Sequence, residues 1–203
     1  MLHVQGTLFD PRDEDLPEGM RYEPEFLTPD EETLLLEFVR ALPLEEMRYK
    51  NYTARRRVVS FGGQYDFSAQ TLKAKPDAPP ELDFLQARAA EWLGRLDMFT
   101  QILIAEYSPG TPLGWHRDVP DFEDIVGVSL LSQAVLRFRP YPPRHPKKAD
   151  ILRVTVAPRS IYLLSGPARW AWQHSVAPTT ALRYSITLRT PRRPALAAEP
   201  RSH

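Results

Sequence analysis

Three side chains that can bind one metal ion stand in two short motifs of this sequence. A single residue separates His116 from Asp118, and His174 follows much later in the chain. Alternate residues of an extended strand point to the same side, so His116 and Asp118 project together wherever this segment is extended. Two imidazoles and one carboxylate on one face of a metal, with other positions open, are the ligand set of non-heme Fe(II) oxygenases. The motifs therefore predict an iron site whose third ligand comes from another strand.

The remaining histidines are poorer metal ligands. His3 and His203 lie near the ends of the chain, and His145 stands in a proline-rich basic loop. The simpler interpretation of His145 is a solvated loop residue.

A second candidate site follows His174 in the sequence. Arg183 and Arg189 are six residues apart, so in a strand they share a face with Thr187. A guanidinium binds a carboxylate through two parallel hydrogen bonds. We therefore expect Arg189 to bind the far carboxylate of a five-carbon oxo-diacid, with Arg183 nearer the metal and Tyr107 reaching in from a neighbouring strand. The alternative is that the two arginines only keep an edge strand soluble.

The composition indicates one globular domain. The chain has 203 residues, 42% of them hydrophobic, and no cysteine, which excludes disulfides, thiolate metal sites and a catalytic cysteine. Residues 1–11 lack the basic and apolar segments of a signal peptide. No apolar run approaches the roughly 20 residues that span a bilayer. We therefore expect a cytoplasmic protein with no membrane partner.

The formal net charge is zero, which argues against a protein that coats nucleic acid by bulk electrostatics. The basic residues are nevertheless clustered, which leaves a local basic groove open. The clusters contain Arg55, Arg56, Arg57, Arg137, Arg139, Arg144, Lys147 and Lys148.

Two amphipathic helices are predicted before residue 100. Thr28 is a suitable cap, Pro29 suits the first helical position, and Glu31 completes a capping box before an apolar stripe that ends at Pro43. The second helix covers about residues 80–96. Residues 1–25 are predicted to form an extended N-terminal arm.

Two further segments have different patterns. Residues 48–75 interleave aromatic, basic and glycine residues, which indicates a strand-turn-strand unit or a mobile flap. From residue 100 onward, short strands alternate with proline and glycine breakers, a pattern typical of a sandwich or jelly roll. The predicted strands are 101–107, 125–131, 135–139, 151–156, 160–164, 171–176 and 182–189. We expect a single domain over 1–190, with its jelly-roll core at 100–190, and a disordered tail over 191–203.

The motifs together resemble AlkB-type Fe(II)/2-oxoglutarate dioxygenases over roughly residues 20–190. The resemblance rests on Tyr107-Ser108-Pro109-Gly110 followed by His116-Arg117-Asp118, on Val128-Ser129-Leu130, on His174, and on Arg183-Tyr184-Ser185-Ile186-Thr187-Leu188-Arg189. It implies a mainly β (α+β) fold: a double-stranded β-helix, or jelly roll, with N-terminal helices and a nucleotide-recognition lid.

The resemblance also implies the cofactors and the residues of the site. The cofactors are Fe(II), the cosubstrate 2-oxoglutarate and O2, with His116, Asp118 and His174 as metal ligands. These three and Arg183 are the expected catalytic residues. The expected cosubstrate contacts are Tyr107, Arg183, Ser185, Thr187 and Arg189. The expected substrate or nucleic-acid contacts are Arg55, Arg56, Arg57, Phe61, Tyr65, Phe67, Trp115, Arg117 and Arg137.

The implied activity is oxidative demethylation of an alkylated base in DNA or RNA, a direct-reversal repair reaction by a monomer acting on a single-stranded or flipped base. Phe61, Tyr65 and Phe67 would stack on the base from the lid; simple hydrophobic packing is the alternative. The chain departs from many members at Ala105, Ser185 and Pro120, which bear on cosubstrate and base recognition. Two other functions remain open: the same iron chemistry on a protein or small molecule, and a binding module for damaged or bulged nucleic acid with little catalysis.

Overall fold

Two antiparallel β-sheets face each other in this computed structural model, as a double-stranded β-helix requires. The structure describes residues 16–49, 52–66, 71–74, 76–95, 99–143 and 151–192. Within these, only the backbone is described for 47–49, 52–55, 64–66 and 71–74. The expected mainly β jelly-roll fold is confirmed.

The seven-stranded sheet has the order β1-β11-β8-β13-β6-β3-β2. Its strands are β1 (Met20–Glu23), β2 (Glu45–Tyr49), β3 (Tyr52–Phe61), β6 (Gln101–Tyr107), β8 (Phe122–Leu130), β11 (Ile161–Leu164) and β13 (Arg183–Pro191). The four-stranded sheet has the order β10-β9-β12-β7 and contains β7 (Leu113–His116), β9 (Ala134–Pro140), β10 (Leu152–Val156) and β12 (Trp172–Val176). A hairpin joins β4 (Gly63–Asp66) to β5 (Thr71–Ala74), and the helices are α1 (Pro29–Ala41), α2 (Asp83–Leu93) and α3 (Gly166–Trp170).

The seven-stranded sheet is buried on both faces. Outward residues of its central strands, such as Ile104 and Ile186, pack in one apolar cluster with Leu35 of α1 and Leu85 of α2. Inward residues belong to a second cluster that includes Phe138 and other residues of the four-stranded sheet. This explains why every residue of β6 is buried. Polar groups on the inward face therefore lie between the two sheets, shielded from bulk water.

The cap of α1 matches the sequence prediction. Thr28 Oγ1 accepts a hydrogen bond from Glu31 N at 3.2 Å, and Glu31 Oε2 accepts one from Thr28 N at 2.8 Å. These bonds satisfy donors that a helix N-terminus otherwise leaves open. A 3-10 turn at Pro80–Leu82 precedes α2, and Gly94 ends it with a positive φ of 69°. Among the described residues no helix is long and apolar enough to cross a membrane.

Several boundaries differ from the sequence prediction. The strand at 101–107 is confirmed, and the other six predicted strands are present with ends shifted by one to three residues. The sequence pattern missed β2, β7 and α3, and it missed β1 inside the predicted N-terminal arm. These elements have only four or five residues, too few to establish a period. Residues 1–15 of the arm and 193–203 of the predicted tail lie outside the described residues.

Residues 48–75, the segment predicted to contain the lid, include a core strand and a separate hairpin. Residues 57–61 of β3 pair with β6 inside the seven-stranded sheet, and β3 also pairs with β2. Only the β4–β5 hairpin forms a separate two-stranded sheet. The strand-turn-strand interpretation is confirmed, whereas β3 belongs to the structural core.

Candidate metal centre and its cavity

The three predicted metal ligands converge on the inward face of the four-stranded sheet. His116 of β7 and His174 of β12 are directly cross-strand partners, and Asp118 follows two residues after His116. Ligand atoms of the three side chains all lie within 4.8 Å of one another. His174 Nε2 is 3.4 Å from Asp118 Oδ2, and the two imidazole centroids are 4.2 Å apart. Asp118 lies two residues beyond His116, the last residue of β7, and its side chain reaches the same site.

Both histidines are held in the neutral form that binds metals. Burial lowers the pKa of His116, and burial together with the neighbouring His116 lowers the pKa of His174 to about 3. His116 Nδ1 lies 2.9 Å from the carbonyl oxygen of Gly114, an arrangement in which Nδ1–H donates and Nε2 keeps its lone pair. Such outer hydrogen bonds fix the tautomer and orientation of a metal-binding histidine.

Asp118 is ionised despite its burial. Burial alone would raise the pKa of this carboxyl, but positive charge nearby, above all the Arg189 guanidinium, lowers it. Arg189 Nε donates to Asp118 Oδ1 at 2.9 Å, and Arg189 Nη2 donates to the same oxygen. Arg189 Nη1 donates to Gln101 Oε1 at 2.6 Å. Both bonds from Arg189 use Oδ1, so Asp118 Oδ2 faces His174 and is available as a metal ligand.

Gln101 extends this hydrogen-bond chain to the turn between β3 and β4. Its Nε2 donates to the carbonyl oxygen of Gly63 at 2.7 Å and to Ser60 Oγ at 3.3 Å. Gln101 is only 5% exposed, so these bonds form away from solvent. The metal ligand Asp118 is thus linked through Arg189 and Gln101 to the base of the β4–β5 hairpin.

Arg169 supports the backbone that follows Asp118. This arginine of α3 is 2% exposed, and its Nη2 lies 3.1, 2.8 and 3.0 Å from the carbonyl oxygens of Asp118, Val119 and Phe122. One buried guanidinium therefore connects three carbonyl groups of the β7–β8 connection. Its role is to position the loop, because its contacts are to backbone atoms.

A row of three polar residues crosses the inward face of the seven-stranded sheet. Tyr107 of β6 is the register partner of Arg183 in β13, and the pairing of β3 with β6 places Arg56 on its other side. Arg183 is 1% exposed, and its guanidinium carbon lies 5.1 Å from the centroid of the Tyr107 ring. Arg183 Nε donates to Ser129 Oγ at 3.0 Å, whereas its buried Nη1 has no partner among the described residues.

Tyr107 is held in this row by its neighbours. Burial would raise the pKa of its phenol, but Arg56 and Arg183 outweigh burial and lower it. Arg56 Nη1 lies 3.5 Å from the Tyr107 hydroxyl. The row is therefore strongly positive and is suited to an anion.

The positions of Arg183 and Arg189 reverse the expected order. Arg189 contacts the metal ligand Asp118, whereas Arg183 lies at the opposite end of the described part of β13, beside Tyr107. At about 3.4 Å per residue, the six intervening steps separate their Cα atoms by roughly 20 Å. The sequence prediction was correct about the shared face and wrong about which arginine is nearer the metal.

Two predicted substrate contacts on β3 have other positions. Phe61 is 9% exposed and packs in the apolar core with the helices, so it is not a stacking residue. Arg57 points to the opposite face from Arg56, and its Nε and Nη2 each donate to Glu106 at 2.8 Å. Arg56 is 8% exposed and lines the cavity instead of an outer lid. The side chains of Arg55, Tyr65 and Phe67 lie outside the described residues.

The other three predicted contacts lie on or directly after strands of the four-stranded sheet. Trp115 and Arg117 both border the cavity. Arg117 stacks on the Tyr141 ring at 3.7 Å, and its Nη1 donates to the Trp170 carbonyl oxygen at 3.1 Å. Arg137 lies on the outward face of β9, where its guanidinium is 5.3 Å from the Trp115 ring centroid.

Gln101, Arg169 and Tyr162 are site residues that the sequence pattern did not reveal. Tyr162 lies across from Gly127, where an added Cβ atom would be 2.1 Å from the tyrosine ring. A glycine is therefore required at position 127 for the ring to reach the cavity, and burial raises the pKa of Tyr162 to about 12. The only sequence signal for Tyr162 was its isolated polar group within an apolar strand.

A cavity of about 400 Å³ lies between the sheets. It is lined by the three metal ligands, Tyr107, Tyr162, Ser185 and Thr187, and by four arginines, Arg56, Arg117, Arg183 and Arg189. Asp118 is the one carboxylate among the lining residues of the described chain. The cavity is thus a positive environment that favours anionic ligands.

The residues fit both groups that an iron oxygenase of this kind requires. Two neutral imidazoles and one ionised carboxylate suit Fe(II) and leave coordination positions open. The unpartnered nitrogen of Arg183 suits a carboxylate, because a buried donor without an acceptor is costly and rare. The cavity has donors for the metal and for a dicarboxylate in one enclosed space.

Comparisons with known proteins agree with this geometry. The family described as the 2OG-Fe(II) oxygenase superfamily matches residues 19–189. The tRNA (carboxymethyluridine(34)-5-O)-methyltransferase ALKBH8 of Macaca fascicularis is 27% identical over 81% of this chain and 25% of its own length. The alkylated DNA repair protein ALKBH8 homolog of Arabidopsis thaliana is 29% identical over 78% of this chain and 50% of its own length. The chain thus spans a quarter to a half of these two relatives.

Two solved structures have the same fold. The structure of OsALKBH1 superposes with a TM-score of 0.65 at 16% identity, covering 86% of this chain and 98% of that chain. A prolyl hydroxylase from Trichoplax adhaerens, in complex with a hypoxia inducible factor peptide fragment, gives a TM-score of 0.59 at 17% identity. It covers 85% of this chain and 83% of the hydroxylase chain.

The geometry and the comparisons lead to one assignment. The family match covers the whole double-stranded β-helix and includes His116, Asp118 and His174. The chain belongs to the 2OG-Fe(II) oxygenase superfamily, whose chemistry uses Fe(II), 2-oxoglutarate and O2, and it is similar to AlkB-type members of that superfamily.

Proposed function

We propose that this dioxygenase oxidatively demethylates an N-alkylated base in DNA or RNA. The observation that carries the proposal is the cavity, which combines the three iron ligands, including its one carboxylate Asp118, with four arginines. A positive cavity suits both the dicarboxylate cosubstrate and a substrate attached to phosphates. The names of the two curated relatives, which refer to tRNA and to alkylated DNA, support a nucleic-acid substrate.

His116, Asp118 and His174 would hold the iron. Fe(II), when bound, supplies the oxidising chemistry: one oxygen atom of O2 enters the N-methyl carbon, and the other enters succinate as 2-oxoglutarate loses CO2. The hydroxymethyl group then leaves as formaldehyde when its C–N bond breaks, and the base nitrogen regains a proton. The protein supplies the ligands, the orientation and the enclosed pocket.

The arginines of the cavity would have separate roles in this reaction. Arg183 would bind the far carboxylate of 2-oxoglutarate together with the Tyr107 hydroxyl, because its Nη1 has no partner among the described residues. Arg189 would hold Asp118 in its ionised, ligating orientation. Ser185 and Thr187 lie between them on the same strand face and are the remaining proposed cosubstrate contacts.

The substrate base would enter at the end of the cavity bordered by Trp115 and Arg117. A base within a duplex must leave the stack to reach a buried metal, so a single strand is engaged at lower cost. We expect Arg56 to face the bound base or cosubstrate from the cavity wall. The side chains of Tyr65 and Phe67 remain predicted stacking residues.

The proposal is tested by incubating the protein aerobically with Fe(II), 2-oxoglutarate and N-methylated single-stranded DNA and RNA of one sequence. Loss of one methylene mass from either oligonucleotide, dependent on 2-oxoglutarate and absent in Asp118→Ala, is the expected result. Succinate formation without any change in either oligonucleotide would contradict it and would favour a protein or small-molecule substrate. Oligonucleotide binding without succinate formation would indicate a binding module.

A base of tRNA is a second candidate substrate, favoured by the relatives of Macaca fascicularis and Xenopus tropicalis named as tRNA methyltransferases. In this second reaction the base would be hydroxylated, and the oxygen atom added from O2 would be retained in the product. The same assay with bulk tRNA, followed by nucleoside mass analysis, separates the two reactions. A gain of one oxygen mass indicates hydroxylation, whereas loss of a methylene indicates demethylation.

A further inference from the structure

We infer that the outward face of the four-stranded sheet binds the phosphate backbone of a single-stranded nucleic acid that leads into the cavity. We call this surface the arginine face, and define it by Arg137, Arg139, Arg153 and Trp115. The inference rests on the proposed nucleic-acid substrate.

The strands of this sheet contain arginines but no acidic residues. The three arginines are Arg137, Arg139 and Arg153. Inward positions of β9 are apolar, as with Leu136 and Phe138, so the arginines alternate with them onto the outward face. The alternation separates a metal-binding inner surface from a cationic outer one on the same strands.

Two of these arginines oppose each other directly. Arg153 of β10 and Arg137 of β9 are register partners in adjacent antiparallel strands. Like charges at directly opposite positions destabilise a sheet. Within the described chain neither arginine has an ion pair, so no carboxylate there compensates the repulsion. A polyanion bound across both strands would remove this cost.

The arginines are also held in place for a ligand. Arg137 Nε donates to Ser175 Oγ at 3.0 Å, and Arg139 Nε donates to Gln173 Oε1 at 2.8 Å. Both guanidinium groups lie over the Trp115 ring, at 5.3 Å and 4.5 Å from its centroid. These contacts fix each Nε, while no hydrogen bond among the described residues involves the terminal nitrogens. Preorganised terminal nitrogens bind a phosphate with less loss of side-chain entropy.

Trp115 connects the arginine face to the reaction site. It lies on the outward side of β7 beside Arg139, and it also borders the cavity that contains the adjacent His116. The bulge between β7 and β12 allows both Leu113 and His116 to face inward while Trp115 faces outward. A strand whose phosphates cross the arginine face would therefore meet the cavity lining at Trp115.

Salt-dependent binding tests this inference. Anisotropy of a labelled single-stranded oligonucleotide is measured over a salt series for the wild type and for Arg137→Gln, Arg139→Gln, Arg153→Gln and the triple variant. Each lost phosphate contact should lower the slope of log affinity against log salt by about 0.7. Lysine substitutions at the same positions retain the charge and should restore most of the slope.

Arg21→Gln is the matched control. Arg21 also lies on a strand and stacks on a tryptophan, Trp92, at 4.2 Å, but it belongs to β1 in the other sheet. Its substitution removes the same charge and the same kind of contact, and the slope should not change. Arg153 is exposed and bonds only to the Ile151 carbonyl within the described chain, so Arg153→Gln remains informative if changes at Arg137 disturb folding.

The outcomes separate this inference from the proposed function. If the triple variant keeps the wild-type slope of log affinity against log salt, the arginine face does not bind the phosphate backbone. The proposal of a nucleic-acid substrate would be unaffected by that result. A wild-type protein that binds neither single-stranded DNA nor RNA would overturn both. Equal displacement of the oligonucleotide by a polyglutamate peptide of matched charge would overturn the assignment to a phosphate backbone.

Discussion

The two ends of the cavity differ in how completely their buried charged groups are hydrogen-bonded. At the metal end, Asp118 is bonded by Arg189, and Arg189 is bonded in turn by Gln101. At the other end, Arg183 is less exposed than any of these groups, yet its Nη1 has no partner in the described chain. The protein completes the hydrogen bonds of the group that must keep its geometry. It leaves the hydrogen bonds of Arg183, the group proposed to receive a ligand, incomplete within the described chain.

This difference distinguishes a positioning arginine from a binding arginine. Both belong to one strand, share one face and carry the same charge. A buried donor without an acceptor costs about 1–3 kcal/mol, so an arginine that retains one gains most from an incoming carboxylate. We therefore propose that Arg183 binds the cosubstrate and that Arg189 orients the metal site, and substitution of each residue tests this division.

The largest effect is expected at Asp118. Asp118→Asn keeps an oxygen that accepts from Arg189 but removes the charge that binds iron. Succinate formation should be abolished while circular dichroism and the melting temperature remain close to those of the wild type. Normal turnover in this variant would remove Asp118 from the metal site.

Arg183→Ala should weaken 2-oxoglutarate binding next most strongly. Hydrogen bonds to charged groups contribute about 1.5–3 kcal/mol, which corresponds to a roughly tenfold to hundredfold increase in Kd. Calorimetric titration of 2-oxoglutarate into protein saturated with Mn(II) measures this without turnover. Arg57→Ala, which removes an arginine from the outward face of β3, is the control and should leave the Kd unchanged.

Arg189→Gln should weaken metal binding more than it weakens 2-oxoglutarate binding. Loss of an outer partner of a metal ligand typically lowers metal affinity about 10–100-fold. Titration with Mn(II) should show this loss, whereas 2-oxoglutarate binding at saturating metal should change less than in Arg183→Ala. A larger effect of Arg189 than of Arg183 on the 2-oxoglutarate Kd would reverse the division of roles.

A smaller effect on the metal end is expected from Gln101→Leu. The substitution keeps the volume approximately but removes the acceptor for Arg189 Nη1 and the link to Gly63. Mn(II) affinity should fall less than in Arg189→Gln, because Asp118 keeps both bonds from Arg189. An unchanged Mn(II) affinity would show that the hydrogen bonds of Gln101, which lead to the base of the β4–β5 hairpin, do not influence the metal site.

The smallest effect concerns stability and lies outside the cavity. Hydrogen bonds from Arg57 are the largest influence on the pKa of Glu106 and lower it below 4.5. The pair therefore stabilises the fold above that pH and loses its contribution as the pH falls through the lowered pKa. Because Arg57 is half exposed, the contribution is below about 1 kcal/mol. Urea unfolding of wild type and Glu106→Gln should differ at neutral pH and converge in acid.

The pairing of His116 with Asp118 and the cap of α1 were accessible from the sequence because each depends on local spacing. Asp118 follows two residues after His116 at the end of β7, and Thr28 and Glu31 are three apart at a helix start. Strand alternation and first-turn geometry require no information from the rest of the chain. The same locality explains why the face shared by Arg183 and Arg189 was predicted correctly.

The roles of Arg56, Phe61 and Arg189 depended on contacts between distant strands. Alternation places Arg56 and Arg57 on opposite faces but does not say which face is inward; the pairing of β3 with β6 settles that. Phe61 is aromatic and near glycines, which fits a lid as well as a core, and only the packing of the helices buries it.

Gln101 and Arg169 became site residues only when the chain folded back on itself. Gln101 lies opposite Arg189 because β6 pairs with β13, and Arg169 reaches the Asp118 carbonyl across 51 residues of sequence. The residue types and local periods of this chain therefore predicted its chemistry and its jelly-roll fold. Which end of the cavity binds metal and which binds the dicarboxylate follows from strand register, because register brings together side chains that no local spacing relates.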